Sequence, residues 1–447
     1  MPTATQSNSM PPGGVTATQP ITPAGTLTPA DIQAITEALS PIQAQFRSQS
    51  TFLTVDLQQA SWNALGQQQS VKISNVGLGT TVITEWNVVI TITNPTTLGA
   101  SFSVSPWFPY NLIANTNISI NGGTAVYSCS GPSALAAMTR QRKGARRLVT
   151  SGGYGPALDP SLVQISLGSN LTAYNTTPSQ KSFSGISSIA AAASVSTNNT
   201  ITVKFFTVEK LALDKDSLLG SLPLQNNSTF IQIQRSLVGS LKTINRNDLV
   251  QPFFGTETSL TYALTSCTAD STYEFASVPA NAALYQPMIT NSYQTIEASN
   301  NTASATGAGA LKYDIPKNIY LVAAHIIGQD STGAPLQGYS SANGLGSLHL
   351  QYIAGSVVPV SMHAARSRAR QFLTYDYDPT NFSGYRLWDG EDTSDDINAS
   401  DNMGWLDAYY TASPQVVVDI GSVVSVPIVY TVLREAIVSG AVQTVGG

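Results

Sequence analysis

The sequence is short of charge. Of its 447 residues, 21 are basic and 26 acidic, so charged side chains make up 11 per cent of the chain, against roughly 25 per cent in an average soluble protein. A helix-rich enzyme is disfavoured on that ground, because exposed helix faces are usually built from Glu, Lys, Arg and Gln. Cysteine is nearly absent. Cys129 and Cys267 lie 138 residues apart with no CxxC spacing, which points to two buried thiols, not to a disulfide framework or a zinc site. Long apolar runs are missing too: nothing approaches the roughly 18 to 20 continuous residues of a spanning helix, and the C-terminal apolar region is cut by Asp419, Gly421 and Pro427. The first 30 residues contain no Lys or Arg, so the positively charged start of a secretory leader is not present. A net charge of -5 argues against a nucleic-acid footprint over the whole molecule.

What the chain has instead is hydroxyl. It carries 52 Ser and 47 Thr, which supply the polarity that Lys and Glu normally supply. Disorder is disfavoured, since 42 per cent hydrophobic residues provide ample surface to bury, and the length suits two or three domains. Residues 1–27 are uncharged Thr, Pro, Gly, Ala and Gln and read as a flexible arm. A helix is expected over 28–48: Thr28 is an N-cap, Pro29 fits the first helical position and Asp31 lies in the first turn. Its apolar stripe is Ile32, Ile35, Leu39, Ile42 and Phe46, and Pro41 kinks or divides it. From the stripe alone, packing on its own barrel is favoured over docking on a neighbouring subunit or a lipid surface.

From about residue 50 the pattern has period two. Strands are expected at Val71–Val76, Val82–Thr93, Phe102–Val104, Ile118–Ile120 and Thr124–Tyr127, then a helix with an Arg-rich tail at Ser133–Leu148. Strands resume at Thr200–Lys210, Phe230–Arg235, Leu260–Leu264 and Tyr273–Val278. A second set follows at Tyr285–Ile296, Ile319–Ile327, Leu348–Tyr352 and Ser356–Val360, then a basic helix at His363–Phe372, then strands at Val416–Ile420 and Val423–Leu433. The order strands, basic helix, strands occurs twice. The reading is all-β, with two successive β-domains at 49–280 and 281–437 and a tail at 438–447.

Reactive constellations are few. His325, His349 and His363 have no second ligand at i+2 or i+4 and read as structural. No GxSxG, HExxH or GxxxxGK occurs, which removes the strongest hydrolase, metalloprotease and nucleotide signals. The run Asp389, Glu391, Asp392, Asp395, Asp396 and Asp401 could bind calcium if its carboxylates converged, but a solvated loop is the better reading. Tyr385, Trp388, Asp389 and Glu391 are the one candidate for paired glycosidase carboxylates flanked by aromatics, and a loop explains them better. The basic cluster Arg140, Arg142, Lys143, Arg146 and Arg147 is matched in the second half by Arg366, Arg368 and Arg370. Either could contact phosphate; pairing with acidic residues of a neighbouring domain or subunit is preferred, because each cluster holds the same place in the repeat. Nine Asn-x-Ser/Thr triplets, at Asn117, Asn170, Asn175, Asn198, Asn226, Asn227, Asn300, Asn381 and Asn398, do not establish glycosylation in so hydroxyl-rich a chain. No catalytic residue, metal or cofactor is expected.

Two stretches resemble a known family. Lys204–Gly220, with Asp214 in its loop, the Leu222-Pro223-Leu224 turn and Phe230–Arg235 resemble a strand, Asp-Leu-x-Gly-type loop and strand in the first jelly roll of tectivirus-like major capsid proteins. Arg366–Arg370, Asp376–Pro379, Gly384, Tyr385 and Asp389 are similar to the basic helix, Asp-x-Pro turn and Gly-x-Tyr segment of the second jelly roll, and Val416–Glu435 looks like its closing strand pair. The resemblance implies two tandem eight-stranded jelly-roll barrels, a double jelly roll, with an N-terminal helix and one helix inserted in each barrel. It implies a homotrimeric, pseudo-hexagonal capsomer in an icosahedral virion, assembled in the host cytoplasm. It further implies minor capsid, vertex and membrane proteins as partners, a lipid membrane beneath the helix at Pro29–Phe46, no sequence-specific nucleic-acid binding and no enzyme activity. Residues 149–199 and 300–346 are its candidates for outward loops. The alternative from the binding class is a β-rich surface protein that recognises glycans through a jelly-roll domain.

Overall fold

A computed structural model describes residues 51–74, 76–105, 107–123, 125–141, 163–174, 186–194, 199–213, 220–223, 229–243, 252–255, 258–277, 291–303, 309–330, 345–352, 357–362, 385–389, 406–407, 414–420 and 428–439. All belong to a unit spanning Thr51–Gly447. The expected helices at 28–48 and His363–Phe372 lie outside the described residues.

The 16-residue strand Leu78–Thr93 anchors the first half. From Val82 onward every second residue is buried, through Thr84, Trp86, Val88, Ile90 and Ile92, as a strand with one face on a core requires. It is flanked by Thr200–Lys210 and Thr261–Ser277 in a seven-stranded antiparallel sheet whose edges are Thr51–Asp56 and Val163–Leu167. Register sets Trp86 between Phe205 and Ala269. The small Ala269 leaves room for Trp62, which stacks on Trp86 at 5.3 Å, with Phe205 on its other side at 6.0 Å. A five-stranded sheet adds Phe102 and Phe253, packed with Tyr262 at ring separations of 5.1 to 5.6 Å.

A nine-stranded sheet crosses from the first half of the chain to the second. Its order is Tyr385–Asp389, Tyr320–Asp330, Ile428–Ser439, Asn291–Ala303, Ala125–Cys129, Ile113–Ile120, Phe230–Leu237 and Gln68–Ser74, with Leu406–Asp407 on Tyr320–Asp330. Every pairing in it is antiparallel except one: Ala125–Cys129 lies parallel to Asn291–Ala303, and that pair joins the two halves. A four-stranded sheet of Gly309–Asp314, Gln415–Ile420, Leu345–Tyr352 and Val357–Met362 completes the second half. The main apolar cluster also crosses the join, since Ala323, Ile327 and Leu387 pack in it with Trp86, Phe205 and Leu135.

Three expectations are corrected. Leu260–Leu264 and Tyr273–Val278 are not separate strands but parts of one strand, Thr261–Ser277, with a bulge between Leu264 and Ser266. The small and polar stretch Thr265–Ser271 hid its continuity, and the neighbouring Leu78–Thr93 ladder supplies it. Residues 149–199 are not one loop, because Val163–Leu167, Leu171–Tyr174 and Ser188–Ala191 are strands; likewise 300–346 contains the strand Gly309–Asp314 and most of Tyr320–Asp330. Tyr385–Asp389 is a strand with Trp388 and Asp389 buried, not a solvated loop. Its apolar Leu387 and Trp388 are the signal that the flanking charge obscured.

Candidate functional site

The place where the two halves are joined is the most chemically distinctive in the described structure. It starts from a helix, α1, at Gly131–Gln141, which follows the joining strand Ala125–Cys129 directly. Ser130 precedes the helix; its amide and hydroxyl both donate to Glu297 Oε2, at 2.8 and 2.6 Å, across the join. Gly131 is dictated by space: a Cβ there would lie 1.7 Å from the Tyr110 carbonyl oxygen. Ala134, Leu135, Ala136, Ala137 and Met138 are all buried. Three alanines make the helix thin enough to lie between strands of both halves.

The helix covers one row of the nine-stranded sheet. Cross-strand partners share a face, and the register aligns Ile233, Ile118, Tyr127, Thr295, Glu435, Ala323 and Asp389 in one line. In the first half the row is Ile and Tyr; in the second it carries two carboxylates separated by one methyl group. Arg140, in the last turn of the helix, fills the space above Ala323. Its Nη1 donates to Glu435 Oε2 at 2.7 Å and its Nη2 to Asp389 Oδ1 at 3.1 Å, with no side chain in the trio more than 4 per cent exposed.

Residues two positions along the same strands complete the cluster. His325 Nε2 lies 2.7 Å from Glu435 Oε1, and the Tyr293 hydroxyl donates to Glu435 Oε2. Burial by itself would raise the Glu435 carboxyl; Arg140, His325 and Tyr293 outweigh it and hold the group at about 2. Burial, followed by the charge of Glu435, pushes the Tyr293 hydroxyl well above its usual value. On the opposite face of the same strand, Arg434 engages Tyr313 of the four-stranded sheet. The second half is therefore held on both faces.

A second buried cluster ties the seven-stranded sheet to the nine-stranded one. Arg235, on Phe230–Leu237, donates to Thr84 Oγ1 at 2.6 Å and Ser271 Oγ at 3.0 Å, and lies 3.6 Å from Glu209. Thr207 donates to Glu209 at 2.7 Å and accepts from Trp86 Nε1 at 3.0 Å. Burial raises the Glu209 carboxyl, with Arg235 opposing.

Of the residues singled out from sequence, the structure describes Arg140, His325, Trp388 and Asp389 at this join. Arg142, Lys143, Arg146, Arg147, Arg366, Arg368, Arg370, Ile32, Ile35, Leu39, Ile42 and Phe46 lie outside the described residues, as do Glu391 and the rest of the acidic run. Asp389 faces Arg140 under a helix and does not face an open cleft. Glu435, Tyr293, Glu209 and Arg235 were not singled out, yet a signal existed: Arg235 shares the inward parity of Ile231 and Ile233, and Glu209 that of Val203 and Phe205. Cys129 and Cys267 are both free and buried. Among the described residues no group of three or more His, Cys, Asp or Glu is placed to hold a metal, and no helix is long and apolar enough to cross a membrane.

Two solved structures share this architecture at low sequence identity. The crystal structure of the STIV MCP matches with a TM-score of 0.57 and 16 per cent identity, over 89 per cent of this chain and all of that one. A chain of the atomic structure of Sulfolobus turreted icosahedral virus matches with a TM-score of 0.52 and 16 per cent identity, over 87 per cent of this chain and 91 per cent of that one. No protein-family model matches the sequence, nor does any curated protein. The fold is a double jelly roll, shared with these two structures.

Proposed function

We propose that this chain is a major capsid protein, a structural component of an icosahedral virion. The observation that carries the reading is the join: two sandwich lobes share one sheet and are fixed by a buried Arg140 cluster, in a fold whose solved examples here are a major capsid protein and a chain from a virus particle. A shell tile works by presenting the same surfaces at every repeat, so its lobes must keep one relative position. Nothing in that task needs a reactive group, and the low charge suits it, because charges are depleted from interface cores.

The finer reading follows from the resemblance. Residues 49–280 and 281–437 supply one lobe each, and three chains make a pseudo-hexagonal capsomer. Arg142, Lys143, Arg146, Arg147, Arg366, Arg368 and Arg370 meet acidic groups of adjoining domains or subunits. The 28–48 helix, through Ile32, Ile35, Leu39, Ile42 and Phe46, faces a lipid membrane or a neighbouring subunit at the base of the shell, where minor capsid, vertex and membrane proteins complete the particle. Deleting residues 1–48 tests this role: trimers are expected to persist while particle yield and vesicle co-sedimentation fall, and an unaltered yield would refute it.

A further inference from the structure

The edge strand Thr51–Asp56 is built unlike the edge strands Gln68–Ser74 and Val163–Leu167. At the edge strands Gln68–Ser74 and Val163–Leu167 the exposed positions are polar: Gln68, Ser70, Lys72 and Ser74 on one, Gln164 and Ser166 on the other. In Thr51–Asp56 all six residues are exposed, and Phe52, Leu53 and Val55 are 49, 45 and 38 per cent exposed. Phe52 stands on one face of the strand and Leu53 and Val55 on the other. One side of the strand is paired with Thr272–Ser277; among the described residues no strand pairs with its other side. Natural edges are blunted by Lys, Pro, bulges or inward charges to prevent further pairing. This one has none of them, and its single charge, Asp56, is taken up by the Thr272 hydroxyl at 2.9 Å.

We propose that this edge pairs with the same edge of a second copy of the chain, extending the sheet across a two-fold axis. The sequence TFLTVD complements itself in one antiparallel register, centred on Leu53. That register sets Leu53 beside the partner's Leu53, Phe52 beside the partner's Thr54, and Thr51 beside the partner's Val55. Leucine on leucine and aromatic or β-branched residues on threonine are stabilising cross-strand pairs. The two Asp56 carboxylates fall outside the paired stretch at opposite ends, so like charges are kept apart. The register centred on Thr54 would instead set each Phe52 against the partner's Asp56. A five-residue contact is small, which fits a lattice contact that gains strength by repetition and not a stable isolated dimer.

The contact is distinct from the join between lobes, and a shell could close through other surfaces, so the two readings fail separately. The test uses the full chain carrying Leu53→Cys, with Leu98→Cys as a control at a position 76 per cent exposed elsewhere; the native thiols are buried. Under mild oxidation in assembly conditions the Leu53→Cys chain is expected to form disulfide dimers about tenfold faster than the control, as a locally raised effective concentration requires. Equal rates would overturn the proposal. Val55→Lys is expected to lower the yield of sedimenting assemblies several-fold while the circular dichroism stays unchanged; a wild-type yield of assemblies would overturn it. Those amides of residues 51–55 that point away from Thr272–Ser277 should exchange rapidly in dilute single copies and slowly in assemblies. Protection already in single copies would mean that the chain covers its own edge, and would also overturn it.

Discussion

Arg140 sits between two carboxylates, and a fully buried cluster of this kind is far more sensitive to losing one member than to losing all. Arg140→Met leaves Glu435 and Asp389 facing each other across Ala323 without a cation, and is expected to destabilise by about 3–5 kcal/mol, read as a lower urea midpoint. Adding Glu435→Gln and Asp389→Asn to that variant should recover part of the loss; no recovery would mean that shape, not charge, sets the effect. The same cluster fixes an acid response. Glu435 is held at about 2, below its ordinary value of 4.5, so its contribution is complete above the unfolded carboxyl's range and drains away as pH falls from 4.5 through about 2. Glu209 acts in the opposite sense: its raised folded value means that it gains protons on folding, which partly offsets the loss. Acid unfolding of Glu435→Gln is therefore expected to be shallower than wild type over that window. Burial pushes Cys267 up to about 12 and Cys129 well above the usual thiol range, so neither should react with a thiol reagent near neutral pH until the chain unfolds.

The helix Gly131–Gln141 shows how an element with little polar surface can be held in place. Its first residue admits no side chain, its middle is alanine and its last turn carries the cation. Gly131→Ala would press a methyl group into the Tyr110 carbonyl and is expected to lower stability by about 1–3 kcal/mol, with loss of the near-ultraviolet signal of the buried aromatics before that of the strands. The sequence foretold this helix and most long strands, because period-two burial is written in Leu78–Thr93, Thr200–Lys210 and Phe230–Leu237. What it hid follows a pattern. The Thr261–Ser277 strand is continuous through a stretch with no large apolar residue, and Tyr385–Asp389 is short and followed by carboxylates; both are strands because a neighbouring ladder makes them so, which local residues do not encode. The join was hidden for the same reason. Thr295 and Tyr127 are far apart in the chain, and only the fold reveals that their row ends in Glu435 and Asp389.

At the scale of the whole molecule, the low charge has a location. Apart from the clusters at Arg140 and Arg235, no charged side chain is buried among the described residues, and the two lobes meet through backbone pairing and one helix. On the proposed function, a unit built this way works by being repeated. The measurement that tests this most directly is native mass determination of the purified chain, followed by electron microscopy under assembly conditions. The account predicts a stable species of three times 47.1 kDa with a pseudo-hexagonal outline, which closes into shells. A monomer at every concentration that binds sugars and never assembles would contradict it.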